Sequence, residues 1–159
     1  MLAISFYDVV KAIHVMAVVV GLGVVFAYPI LLPYLRRNHP QSMPAVHAGQ
    51  ELLGKRLITP GLVVILLAGI YMASKNHYWD KSWVSIPLLI LIVLGGLGGA
   101  YFGPRERKLS ELARRDLDGG GALGEEYDAL SRQVGMVGAV ASALVLLAVF
   151  LMIAKPGGY

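Results

Sequence analysis

Apolar residues run along this chain in four long blocks, which polar stretches separate. The blocks span residues 9–35, 57–73, 83–103 and 134–154. About 20 apolar residues suffice for a helix to cross the roughly 30 Å of hydrocarbon in a bilayer, and a spanning segment must satisfy its own backbone hydrogen bonds. The pattern therefore predicts an all-α, polytopic membrane protein: one membrane domain, residues 1–159, in which four transmembrane helices form an antiparallel bundle.

The connections between the blocks differ in length and character. The helix-compatible residues 45–55 indicate that the second helix begins before its apolar block. The short link 74–82 predicts a tight hairpin of helices two and three. The loop 104–133 opens with PRERKLSELARRD, which is typical of a helix extending out of the membrane. DGGG then predicts a flexible turn, and GEEYDALSR predicts the start of the fourth helix.

Composition supports a bilayer environment. Hydrophobic residues make up 57% of the chain and charged residues 15%, against about 45–50% and about 25% in ordinary soluble domains. The net charge of +4 does not predict nucleic-acid binding, because the basic residues lie at the ends of the apolar blocks. The absence of cysteine excludes disulfides, iron–sulfur clusters and thiol catalysis.

The distribution of lysine and arginine predicts an orientation. Ten of these fourteen residues lie in the first and third connections, and cytoplasmic loops carry the excess of such residues. We therefore expect a multi-pass protein of the plasma (inner) membrane, with both termini outside and both basic loops in the cytoplasm. The start of the chain lacks a basic region and an A-x-A cleavage site, so we expect the first block to remain as a helix.

Small residues recur at helix-packing spacing in the third and fourth blocks. Gly95, Gly99 and Gly103 form two overlapping GxxxG patterns, and Gly135 begins a second stripe of small residues. Small residues let helix backbones approach closely in lipid, where the hydrophobic drive between helices is missing. Two interpretations stay open: packing within the bundle, or contact with another copy or with subunits of a larger membrane complex.

Polar residues at membrane depth are expensive and often functional, and His14 is the main example. It lies close to the outer edge of the first helix, with Lys11 one turn before it and small residues one turn after it. Those small residues leave room beside the ring for a flat cofactor or for another helix. Imidazole is a common ligand of haem iron, so His14 is a candidate metal ligand. Lys11 would receive a haem propionate or snorkel to the interface.

A second axial ligand for such a haem b has three candidates near the outer face. His77 lies in the short outer loop, and Met72 and Met152 lie near the outer ends of their helices. A loop histidine is also commonly solvated, and a helical methionine commonly packs in the core.

The other histidines are His39 and His47, which lie in the first basic loop with Met43 between them. Their spacing of eight residues, which prolines interrupt, matches no metal-binding pattern such as two histidines one turn apart on a helix. The loop therefore predicts no metal site.

Five basic residues follow the third block closely. They would bind anionic lipid headgroups or form the solvated face of a helix: Arg105, Arg107, Lys108, Arg114 and Arg115.

Three stretches carry a resemblance to a known family. YDVVKAIHVMAVVVGLG, KRLITPGLVVILLAGIYMA and YWDKSWVSIPLLILIVLGGLGGAYFGPRERKLSELA resemble the first three helices of a bacterial family of small four-helix predicted integral membrane proteins of unknown function. The K-x-x-H helix is also distantly similar to the copper-resistance D family and to the membrane-bound protoporphyrinogen oxidase family. The last resemblance implies that His14 takes part in haem binding; the chain departs from that family at the end of the first helix, where it has AYPILLPYLRRNH.

Three classes of function remain. The first is a small b-type haem protein that serves electron transfer or porphyrin chemistry through His14. The second is a non-catalytic accessory or assembly subunit of a larger, respiratory-type membrane complex. A transporter is disfavoured, because no Asp or Glu lies within the four blocks and four helices are few for a substrate path.

Overall fold

The computed structural model describes residues 4–157. Within that range there is no β-strand, and four helices are long and apolar enough to cross a membrane. They are α1 (Phe6–Asn38), α2 (Pro40–Lys75), α3 (Ser82–Asp118) and α4 (Glu125–Ala154). The predicted all-α class with four spans is therefore confirmed.

Each of the first three helices contains a change of helical type. In α1 the α-helical parts Phe6–Gly23 and Tyr28–Asn38 flank the 3-10 turn Val24–Phe26. The 3-10 turn Pro40–Ser42 opens α2, and the π-helical turn Gly54–Ile58 separates Met43–Leu53 from Thr59–Lys75. The π-helical turn Leu97–Phe102 separates Ser82–Gly96 from Gly103–Asp118 in α3, whereas α4 is α-helical throughout.

Prolines account for the two π-helical turns. Pro60 and Pro104 each follow such a turn by two residues. Proline has no N–H, so it offers no hydrogen bond to the carbonyl four residues before it, and its ring crowds that carbonyl. In α2 and α3 this carbonyl belongs to Arg56 and to Ala100, both inside the π-helical turn, where the wider helix relieves the crowding.

The bundle has two distinct ends. At the basic end, Arg36 of α1 binds Asp128 of α4, and the extensions of α2 and α3 pack together beyond their apolar blocks. At the terminal end, Phe6 of α1 contacts Tyr71 of α2 edge to face. These contacts show that neighbouring helices run antiparallel.

Two apolar clusters form the core. One lies in the basic end and contains Met43, Leu109, Leu112, Ala113, Tyr127 and Val134. The other lies among the apolar blocks and contains Leu22, Leu62, Ile65 and Val145. Many other large apolar side chains point outward, such as Val19, Leu89 and Phe150, which suits a protein surrounded by lipid.

The closest helix approach is between α1 and α2. A Cβ atom placed on Gly61 would lie 3.0 Å from the Cα of Gly21, so a larger residue at this crossing requires the two backbones to move apart by a few tenths of an ångström. By contrast Gly95 and Gly99 are exposed, and a Cβ on either would meet no atom within 4 Å in the described part of the chain. Packing of Gly95 and Gly99 within the bundle is therefore the wrong interpretation of the GxxxG spacing; a Cβ on Gly103 would meet only its own helix, at Gly98.

Candidate functional site

His14 is a buried polar side chain among the apolar blocks, with 6% of its surface exposed. Its Nδ1 lies 3.1 Å from the backbone carbonyl oxygen of Ile65 on α2. A carbonyl only accepts hydrogen bonds, so Nδ1 carries the proton and donates it. In the neutral imidazole the lone pair is then on Nε2, which has no hydrogen-bond partner within residues 4–157. Metal-binding histidines commonly have their other ring nitrogen held by a carbonyl or carboxylate in this way.

Glycine makes room for the ring on the facing helix. Gly69 lies one turn beyond Ile65, and a Cβ atom there would be 3.5 Å from Cε1 of His14. The crossing at Gly21 and Gly61 brings the α1 and α2 backbones together one to two turns farther into the membrane. The small residues that the sequence places inward of His14 thus serve helix packing, and the space beside the ring comes from α2.

A cavity lies beside His14 in the middle of the bundle. It has a volume of about 80 Å³. The lining comes from all four helices and the turn after α2 and is almost entirely apolar; it includes His14, Leu22, Ile65, Pro87, Leu91 and Met152. Ile70 and Trp79 also line it and are 39% and 47% exposed, so the cavity opens to the outer surface of the bundle.

The other candidate ligands are placed unevenly around this cavity. Met152 of α4 lines the cavity with His14, whereas Met72 and His77 do not belong to its lining. His77 lies exposed in the turn after α2, with a backbone φ of 55°. Lys11 is exposed on α1, one turn toward the terminal end from His14. Of these three candidates, only Met152 lines the same cavity as His14.

A second buried polar site lies in the basic end, and the sequence did not predict it. His47 of α2 is 1% exposed; its Nδ1 lies 2.7 Å from Oε2 of Glu106 on α3, and its Nε2 lies 2.8 Å from Oη of Tyr127 on α4. With an ionised carboxylate, Nδ1–H donates to Glu106 and the tyrosine hydroxyl donates to Nε2 of the neutral ring. One imidazole thereby joins three helices.

This triad lies within the packed core of the basic end. Tyr127 is 0% exposed and belongs to the apolar cluster there, so a substrate has no access to the hydroxyl. Gln50 lies one turn after His47 and is also buried, and its Oε1 has no hydrogen-bond donor among the described residues. The arrangement fastens helices together and does not form an open catalytic centre.

Helical spacing is the signal that reveals the triad. Met43, His47 and Gln50 recur at intervals of four and three residues, which places them on one face of α2. Glu106 shares a face of α3 with Leu109, Ser110 and Ala113, all of which are buried. Assigning His47 to the first basic loop, although residues 45–55 are helix-compatible, concealed the first of these faces. In residues 4–157 no group of three or more His, Asp or Glu is arranged to hold a metal ion.

Comparison with known proteins gives one match. Residues 8–156 match a family model described as "predicted integral membrane protein (DUF2269)". No curated protein and no solved structure matches the chain.

Proposed function

The chain belongs to the DUF2269 family of predicted integral membrane proteins, and we propose that it binds haem b in the cavity beside His14. The observation that carries this proposal is the bare Nε2 of a buried imidazole whose Nδ1 is held by the Ile65 carbonyl. Nothing in the described chain satisfies that nitrogen, and it belongs to the lining of an apolar cavity. Iron in a porphyrin is an acceptor suited to such a lone pair.

His14 would hold the iron through Nε2, and Met152, which lines the same cavity, would supply a second ligand. A histidine and a methionine together raise the reduction potential of a haem, which suits one-electron transfer, the chemistry that the bound group would supply. The protein would bind the ring through His14, surround it with apolar side chains and exclude water from it.

Size sets a condition on binding. Drug-sized ligands occupy pockets of roughly 300–1,000 Å³, and the cavity of about 80 Å³ is far smaller than this. A porphyrin would therefore require the helices around the cavity to separate on the side of Ile70 and Trp79, which line it and are exposed. The exposed Lys11, one turn from His14 at the terminal end, is suited to bind a propionate that reaches the interface.

An absorption spectrum tests this proposal directly. The full chain, purified in mild detergent and titrated with haem, should show a Soret band that His14→Ala abolishes. The matched control is His77→Ala, which removes a histidine from the same end of the bundle but not from the cavity, and which should keep the band. A wild-type spectrum with no bound haem, or a His14→Ala spectrum equal to that of wild type, would refute the proposal.

A second variant separates ligation from folding. Gly69→Leu fills the space beside Cε1 of His14 and leaves the histidine in place. We expect it to lose haem while it keeps the helical circular dichroism and the elution volume of the wild type. Met152→Leu should keep haem but shift the visible bands of the reduced form, since it removes the proposed second ligand.

The second candidate function is an accessory subunit of a larger membrane complex, and the glycines of α3 favour it. Gly95 and Gly99 face outward with open space around them. Gly99 lies within the π-helical turn Leu97–Phe102 and Gly95 two residues before it, and such turns are frequent at functional sites. A partner helix would pack closely on this face. Purification in mild detergent should then recover larger subunits with the wild type and lose them with Gly99→Leu; a wild-type chain that purifies alone argues against this role.

A further inference from the structure

The cavity beside His14 has its entrance on one side of the bundle. Of the residues within 4–157 that line it, only Ile70 and Trp79 are exposed, and the others are buried or half-buried. Ile70 lies in the last two turns of α2, and Trp79 lies in the turn that follows this helix. Leu67, one turn before Ile70, is also exposed and apolar. The entrance therefore borders the lipid at the terminal end.

The two tryptophans of this end are held differently. Trp83 is buried, its ring centroid lies 5.0 Å from that of Tyr78, and Nζ of Lys155 lies 5.2 Å from the same ring. The ring of Trp79 has no hydrogen bond, ring contact or cation contact with a residue of the described chain. Exposed side chains without such partners change rotamer rapidly. The side chain of Trp79 is therefore able to rotate, whereas that of Trp83 is fixed.

The backbone around Trp79 is held on both sides. The N–H of Tyr78 donates to the carbonyl of Ala73 at 2.9 Å, and the N–H of Lys81 donates to the carbonyl of Tyr78 at 3.0 Å. Oγ of Ser85 on α3 donates to the carbonyl of Trp79 itself at 3.4 Å. Rotation of the side chain thus uncovers the entrance while the turn stays in place, and separation of the helices is needed in addition only for a ligand as large as a porphyrin.

The lining limits which molecules can pass. Apart from His14 it is almost entirely apolar, so an ion that entered would lose its hydration without compensation. A molecule that is already dissolved in the bilayer has no such cost to overcome. Tryptophan itself is enriched at the border between lipid and water. The entrance is therefore suited to a flat, largely apolar molecule whose polar edge stays at that border.

We propose that the side chain of Trp79 covers the entrance to the cavity, and that the ligand enters from the lipid, between Ile70 and Trp79, when this side chain rotates outward. The side chain then returns and retains the ligand beside His14. That the ligand is haem rests on the proposed function, whereas the route is a property of the cavity and is testable without haem.

Thiol reactivity of the unloaded protein tests the route. The chain has no cysteine, so Val149→Cys places a single thiol in the lining of the cavity. The full chain is placed in vesicles of phosphatidylcholine and phosphatidylglycerol and treated with N-ethylmaleimide, which is uncharged and enters lipid. A minor open state is populated at about 10% or less, so the addition of Trp79→Ala should speed the reaction about tenfold or more. Trp79→Phe keeps an aromatic ring over the entrance and should change the rate much less.

Two other single cysteines are matched controls. Phe150 is the exposed neighbour of Val149 on α4, and Leu62 is buried but does not line the cavity. Trp79→Ala should leave the rates of Phe150→Cys and Leu62→Cys unchanged. An equal acceleration of Leu62→Cys, which means general loosening of the bundle, would overturn the proposal, as would an unchanged rate of Val149→Cys. Equally fast reaction of Val149→Cys with a charged, membrane-impermeant thiol reagent would also overturn it, because the entrance would then open to water.

Haem separates the route from the proposed function. Transfer of bound haem to excess apomyoglobin should be faster from Trp79→Ala than from wild type, and equal rates would show that Trp79 does not retain the ligand. If wild type binds no haem but Trp79→Ala accelerates the Val149→Cys reaction, the haem proposal fails and the route stands. If wild type binds haem and the Val149→Cys rate does not change, the route fails and the proposed function stands.

Discussion

Nδ1 of His47 lies 2.7 Å from a carboxylate oxygen of Glu106, which joins two residues that are 59 positions apart and both outside the apolar blocks. Taking ionisable groups out of water costs several kcal/mol, and removing one partner leaves the other buried and uncompensated. We therefore expect the stability of the basic end to depend strongly on this pair and on Tyr127, which is hydrogen-bonded to His47.

The first prediction concerns this triad. His47→Leu should lower the free energy of unfolding by about 3–5 kcal/mol, because it leaves the Glu106 carboxylate buried without a partner. Titration with denaturing detergent, followed by circular dichroism, measures the change. His39→Leu removes an exposed histidine nearby and should change stability by less than about 0.5 kcal/mol.

A combined variant separates the lost pair from lost packing. His47→Leu/Glu106→Leu/Tyr127→Phe removes every member of the triad, and replacing a buried polar group together with its partners by apolar residues of similar volume is often neutral. We expect this triple variant to be more stable than His47→Leu alone. If it is less stable, packing volume governs the site and not the buried polar groups.

The second prediction concerns the α1–α2 crossing. Gly61→Ala should destabilise the bundle by about 1–3 kcal/mol, because the new methyl group would lie 3.0 Å from the Cα of Gly21 and the backbones must separate. The same detergent titration measures it. Gly99→Ala adds a methyl group in open space and should be neutral or stabilising by up to about 1 kcal/mol. Equal effects of the two substitutions would show that the close approach is not the cause.

The third prediction concerns orientation in the membrane. The chain has no cysteine, so single cysteines report which side each end faces. Asp118→Cys at the basic end should react with a membrane-impermeant thiol reagent only after cells are opened. Asp80→Cys in the turn between α2 and α3 should react in intact cells, as the excess of basic residues in the odd connections predicts. The reverse pattern would place the basic end outside.

The helices could be predicted from the sequence because the bilayer imposes a length and an apolar composition on each span. The helical extension of α3 and the turn at DGGG followed from local signals, and the structure confirms both: Gly103–Asp118 is helical, and Gly120 has a φ of 72° in the turn. Such features depend only on residues that are close together in the sequence, so they can be predicted from it.

Contacts between distant residues could not be predicted in the same way. GxxxG spacing shows that one face of a helix carries small residues, but it does not show which helix packs on that face. Gly95 and Gly99 have this spacing and pack against nothing in the described chain, whereas Gly21 and Gly61, which lack it, form the crossing. The burial of His47 could not be predicted, because its hydrogen-bond partners lie on two other helices, 59 and 80 positions along the chain. For His14, the sequence indicated its depth, and the structure added the Ile65 carbonyl that fixes its tautomer.

Because α2 and α3 are longer than a membrane span, the protein extends farther from the hydrocarbon at one end than at the other. At 36 and 37 residues and about 1.5 Å per residue, each is roughly 55 Å long, about 25 Å more than the hydrocarbon. The additional length lies at the basic end, where it forms a helical extension whose core contains Met43 and Tyr127. A soluble protein that approaches from that side meets folded polypeptide before it reaches lipid, whereas at the other end α2 and α3 are joined by the short turn 76–81.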